Sequence, residues 1–147
     1  MIGHVVKTTF IALGVGFITE LTNSWLGSEF LHAFLAQNLV TILIALLAIN
    51  ATTMGIVLTK VREMVDSKGS AGCFKRTRDQ MLLSIKEQIA LVVTAISILS
   101  IKGSEHIIAI DNAELLLNVA IIGVFVYSLM VLYDTAKSVL IIIDFDG

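Results

Sequence analysis

From Phe34 to Thr59 the chain runs for 26 residues without a charged side chain. As a helix rising about 1.5 Å per residue, that stretch is about 39 Å long and crosses a hydrocarbon core of about 30 Å with some tilt. A soluble core helix has no need of so long an uncharged run. The stretch therefore predicts a membrane-spanning helix, and the rest of the chain has to be compatible with one.

Within it, Asn38, Thr41, Ala45, Ala48, Thr52, Gly55 and Thr59 follow one another at alternating steps of four and three. That spacing holds residues on one side of a helix. Every member is small or hydrogen-bonding, while Leu, Ile, Val and Met fill the other sides. In lipid there is little hydrophobic drive between helices, so association rests on close packing and interhelical hydrogen bonds. The stripe reads either as a helix-packing seam or as the lining of a pore. Asn50 lies off the stripe and is expected to make a second polar contact.

The remaining apolar blocks fall near residues 8–18, 89–101 and 115–133. Mean hydropathy is +0.93, and 56% of residues are hydrophobic against 15% charged, an excess too large for one small soluble domain. The expected fold is an all-α integral membrane protein, one transmembrane domain over 1–147. Its four spans are placed at about 5–25, 31–59, 80–101 and 112–134. The second helix is expected to be long and to continue into the cytoplasm, where a hairpin loop covers 60–79, its irregular part running from Ser67 to Asp79 and the third helix beginning near Arg76. Lys7 ahead of the first apolar run resembles a signal-peptide start, but no small-x-small cleavage site follows, and a retained span is expected.

The first span carries Thr8, Ala12, Gly16 and Glu20 at steps of four, a small-residue face ending in a carboxylate. Ala12 and Gly16 have the small-x-x-x-small spacing that permits close helix approach. Ala90, Thr94 and Ser97 form a comparable stripe on the third helix. Ala120, Gly123, Tyr127 and Asp134 share a side of the fourth. Trp25 and Tyr133 sit where an aromatic belt meets the headgroups. Leu140 to Ile143, in a mixed tail after Asp134, are expected on the membrane surface or against another subunit.

Orientation follows from the cations. With both termini and the 60–79 loop cytoplasmic, nine of the ten Lys and Arg lie on the inner side and only Lys102 outside, a strong positive-inside bias. A bacterial inner membrane is the expected location. Lys60, Arg62, Lys75, Arg76 and Arg78 are the expected contacts for anionic lipid headgroups or a soluble cytoplasmic protein partner. The net charge of −2 gives no sign of a nucleic-acid partner.

No catalytic constellation is apparent, and neither an enzyme activity nor a cofactor is expected. His4, His32 and His106 are isolated in sequence, so no metal site is expected; the alternative is a metal or proton-sensing cluster of His32 and His106 with Glu20 and Glu29, all four placed on the outer side. A single Cys73 excludes an intramolecular disulfide. Of the ionisable groups near the span ends (Glu20, Lys86, Glu87 and Asp134), Lys86 and Asp134 are close enough to the same side to pair. Two functions are compatible with this pattern. One is a homo-oligomer that conducts ions or perturbs the bilayer around the Asn38–Thr59 stripe. The other is a non-conducting anchor, sensor or scaffold that docks a soluble partner through the basic loop. In span number and chain size, the chain resembles the compact multi-span proteins of prophage and bacterial antiphage modules. That resemblance implies an effector that acts by depolarising membranes.

Overall fold

The computed structural model describes residues 2–68, 71–104 and 112–144, excluding side chains at 2, 61, 64–68, 71–77, 138 and 140–144. The described chain is helical apart from short connections: α1 Ile2–Leu26, α2 Phe30–Lys68, α3 Ala71–Lys102 and α4 Ala113–Asp144. Each contains a segment long and apolar enough to cross a membrane: Gly3–Leu26, Phe30–Lys60, Arg78–Lys102 and Ala113–Lys137. Successive helices run in opposite directions. Two ends of the bundle are distinguished below, the Trp25 end and the end that carries the N- and C-terminal residues.

Two boundaries differ from the sequence expectation. Residues 71–79 are helical, so α3 starts at Ala71 rather than near Arg76, and little of the expected 67–79 loop remains. Gly72 disfavours a helix interior by only about 1 kcal/mol, and no Pro is present to break it. The tail after Asp134 likewise continues α4 to Asp144, because no Gly or Pro follows Gly123 before Gly147. The α1–α2 turn is as short as a turn can be. Gly27 takes φ +62°, its N–H donates to the Ser24 carbonyl at 3.3 Å, and Ser28 N–H donates to the Asn23 carbonyl at 3.1 Å. This is the paired closure of a helix C-terminus that a left-handed glycine permits. Before α4, Asn112 takes the other positive φ, 66°, which an Asn tolerates, and its carbonyl accepts from Leu116 N–H at 3.2 Å.

The middle of the bundle is filled by leucine from one side of α2. Leu35, Leu39 and Leu43 are fully buried against Ala95 of α3 and Ile121, Ile122 and Val124 of α4. Met54 and Val57 continue that side onto Met81. α4 is the most enclosed helix and packs on all three others, whereas α1 and α2 share no extensive interface.

α1 is held chiefly by α4. The side of α1 expected from its four-residue spacing is the buried one: Thr8, Ala12, Gly16 and Glu20 all face inward. Gly123 meets it from α4, with Tyr127 packing on Ala12 in one cluster. The backbones come close enough that a Cβ on Gly16 would sit 2.8 Å from the Val119 carbonyl oxygen and 3.1 Å from Gly123 N. Only hydrogen fits there.

Gly16→Ala is expected to force α1 and α4 apart and to cost about 1–3 kcal/mol, the range for an overpacked core. Gly14→Ala, whose Cβ would meet nothing within 4 Å, is expected to be neutral. Loss of helicity during SDS titration from detergent micelles measures both. Equal behaviour of the two variants would contradict the close crossing.

Candidate functional sites: polar ties at three levels and an outward small-residue face

The polar side chains that tie one helix to another inside the unit occur at three levels. At the Trp25 end, one residue from each helix joins a network. Lys102 Nζ of α3 donates to Asn118 Oδ1 of α4 at 2.6 Å. Asn118 Nδ2 donates to Glu20 Oε1 of α1 at 3.2 Å. His32 Nε2 of α2 lies 3.1 Å from Glu20 Oε2, although that oxygen has no aligned hydrogen bond. The Glu20 side chain is 9% exposed and His32 21%. Nearby on α1, Asn23 Nδ2 is buried without a hydrogen-bond partner.

Further along, Asn50 of α2 donates from Nδ2 to Gln88 Oε1 of α3. Both residues are fully buried, and Asn50 Oδ1 and Gln88 Nε2 have no other partner. Both fall well inside their span segments, where an amide has no water to turn to. Asn50 was expected to make a polar contact, and here it does. Gln88 belongs to a line of inward residues, Met81, Gln88 and Ala95, at steps of seven.

Towards the terminal end, Ser84 and Thr135 share a hydrogen bond of 2.8 Å between α3 and α4. His4 Nε2 stands 3.5 Å from Asp134 Oδ2. The expected partner of Asp134, Lys86, is exposed instead. Lys86 stands two residues before inward Gln88, about 200° of helix rotation, which carries the lysine round to the surface. Glu87 is half-buried, with Oε1 enclosed and unpartnered. Between Glu20 and this lower cluster lies the glycine crossing, and beside it the leucine core. No chain of polar side chains connects the two ends through the unit, among the described residues.

The Asn38–Thr59 stripe has a different place. Thr41, Ala45, Ala48, Thr52, Gly55 and Thr59 are exposed, and Asn38 is half-buried. At about 100° per residue they lie opposite the Leu35–Val57 seam. A Cβ on Gly55 would meet nothing within 4 Å. Within this four-helix unit the stripe packs on no other helix; the leucine side took that role because α3 and α4 present large aliphatic side chains to it. Three of the stripe's four donor side chains turn back onto their own helix: Asn38 to the Phe34 carbonyl, Thr52 to Ala48 and Thr59 to Gly55, at 2.9, 2.9 and 3.1 Å. Ala90, Thr94 and Ser97 of α3 are exposed in the same manner.

Of the basic residues expected to meet lipid or a partner, Lys60, Arg62 and Arg78 are exposed. Lys60 Nζ is 3.1 Å from Glu63 Oε2 and Arg78 Nε 3.9 Å from Asp79 Oδ1. The side chains of Lys75 and Arg76 lie outside the described residues, as do His106 and Cys73. No group of three or more His, Cys, Asp or Glu side chains is placed to hold a metal ion, among the described residues. Sequence reasoning passed over Asn118, which is the one amide between Leu115 and Tyr133 and on that ground alone was a candidate for a buried contact. Comparison with family models, curated proteins and solved structures gives no match to this chain.

The amide pair makes a stability prediction. Asn50→Leu and Gln88→Leu are each expected to cost about 1–2 kcal/mol by stranding the partner in an apolar interior, and the double variant to cost less than the sum. A double-mutant cycle by SDS titration measures the coupling; strict additivity would show that the amides do not support one another.

Proposed function

We propose that the chain assembles into a homo-oligomer in a bacterial inner membrane and that the assembly conducts ions or perturbs the bilayer. The observation that carries this reading is the direction of α2. Its leucines are used up inside the unit, and its small, hydroxyl-bearing side is turned outward over six turns. A helix meant only to face acyl chains gains by the opposite arrangement. Small outward residues instead let another helix approach, and their hydroxyl lone pairs suit a narrow shared path. The unit's own middle is packed with Leu35, Leu39 and Leu43, so a path has to form between copies around a common axis. With the basic residues placed inside, both termini are cytoplasmic. The layout of prophage and antiphage effectors is compatible with this role.

A second reading is favoured by a different observation. α2 and α3 continue as helices beyond the span limits at Lys60 and Arg78, with exposed Lys60, Arg62 and Arg78 at their bases. A helical hairpin of this kind suits a non-conducting anchor or scaffold that holds a soluble partner or anionic headgroups. Capture of the same partners by the full chain and by a chain lacking 67–79 argues against docking there.

The conducting reading is tested with full-length protein in liposomes. Gly55→Leu adds bulk to open space on the unit's surface, so folding is expected to persist while particle mass in detergent falls to one copy and current falls to that of empty liposomes. Asn38→Ala with Thr52→Ala is expected to lower conductance. Unchanged mass and current in both variants would exclude the stripe as interface and as lining.

A further inference from the structure

The contact between Glu20 and His32 joins two helices that otherwise barely touch. α1 packs on α4 and α2 packs on α3 and α4, with only the three-residue turn at Gly27 between α1 and α2. Among the described residues, Glu20–His32 is the ion pair that bridges them. His32 also lies on the same side of α2 as Leu35, Leu39 and Leu43, so the contact lies at the end of the side that faces inward.

The carboxylate has unequal support. Glu20 Oε1 accepts from Asn118, while Oε2, buried, has no hydrogen bond among the described residues and has the His32 ring beside it. Burying an ionised carboxylate costs several kcal/mol unless it is paired. Among the described residues, the charged groups facing it are His32 from α2 and, through Asn118, Lys102 from α3; α4 contributes the uncharged Asn118 and α1 the neutral Asn23. An imidazolium supplies the missing counter-charge directly and a neutral imidazole does not. Histidine is the side chain whose charge changes near neutral pH, and the His32 side chain is 21% exposed.

We propose that Glu20 and His32 form a proton-operated latch between α1 and α2 at the Trp25 end of the bundle. With His32 protonated, the two helices are pinned and the leucine side of α2 is seated. When the proton leaves the ring, Glu20 keeps only its Asn118–Lys102 support and the α1–α2 turn loosens. The latch sets the presentation of α2 and does not depend on whether an assembly conducts.

Trp25 is the single tryptophan, five residues beyond Glu20 and 86% exposed, and it reports on this turn. Full-length protein is placed in vesicles of phosphatidylethanolamine and phosphatidylglycerol, and quenching of Trp25 by aqueous acrylamide is followed from about pH 5 to about pH 8. The wild-type chain is expected to show one transition across that range. His32→Gln is expected to lose it and hold the high-pH value. His32→Lys, a permanent cation, is expected to lose it and hold the low-pH value, and Glu20→Gln to lose it as well. His4→Gln is expected to retain it. Far-ultraviolet dichroism establishes that each variant is helical. A flat wild-type curve, a transition that survives in His32→Gln, a loss of it in His4→Gln, or a His32→Lys chain fixed at the high-pH value overturns the latch. The wild-type curve decides even where a variant does not fold.

Discussion

The approach of α1 to α4 at Gly16 and Gly123 governs how this bundle is put together. Two backbones in contact through hydrogen alone gain dispersion along their whole length, and in hydrocarbon that gain does the work that hydrophobic exclusion does in water. With α1 committed to α4, α4 is left to offer its other sides to α2 and α3. This makes α4 the most enclosed helix, and it explains why Asn118, Ser128 and Thr135 are buried. Ser128 turns its hydroxyl onto the Phe125 carbonyl at 2.7 Å, while Thr135 reaches α3. The first follows the helix's own backbone; the second ties two helices.

Buried polar side chains add what packing alone does not: register. Leucine on isoleucine tolerates a slide of a turn, but an amide does not. The Asn50–Gln88 pair fixes α2 against α3 at one height, Ser84–Thr135 fixes α3 against α4 at another, and the Glu20 network fixes all four at the Trp25 end. Each tie links a different pair or set of helices, so together they allow one arrangement. Polar residues in apolar surroundings are costly when unpaired, and that cost is what excludes the slipped alternatives.

Much of this was legible in the residues. Four spans were visible from hydropathy and charge. The inward side of α1 was visible from Thr8, Ala12, Gly16 and Glu20, because small residues at steps of four have a single reading when the large ones surround them. The helical character of 71–79 was obscured because Gly, Ser and charged residues signal a loop in the absence of a partner segment, yet none of them forbids a helix. Pairings across the bundle were out of reach. Nothing in the spacing of Asn50 identifies Gln88, 38 residues on, as its partner, and although topology puts Glu20 and His32 at the same end, nothing about Glu20 identifies Asn118. Such contacts depend on the mutual height of helices, which is decided by the sum of packing and not by any one motif.

The direction of α2 shows a related limit, and it bears on assembly. A span with leucine on one side and small, hydroxylated residues on the other is two-faced, but in a bilayer neither side is dictated inward by solvent. Acyl chains accept leucine, and so does a protein interior. Which side turns in is decided by what the neighbours offer: Ile121, Ile122 and Val124 of α4 need large partners to fill the space between helices, and Thr, Ala and Gly would leave voids there. The small side is then left over, with the donors of Asn38, Thr52 and Thr59 turned back onto carbonyls of their own helix. Those internal bonds lower the cost of showing the stripe to lipid, while its small side chains, flanked by exposed Ile44 and Ile56, leave a shallow track for close approach by a second copy.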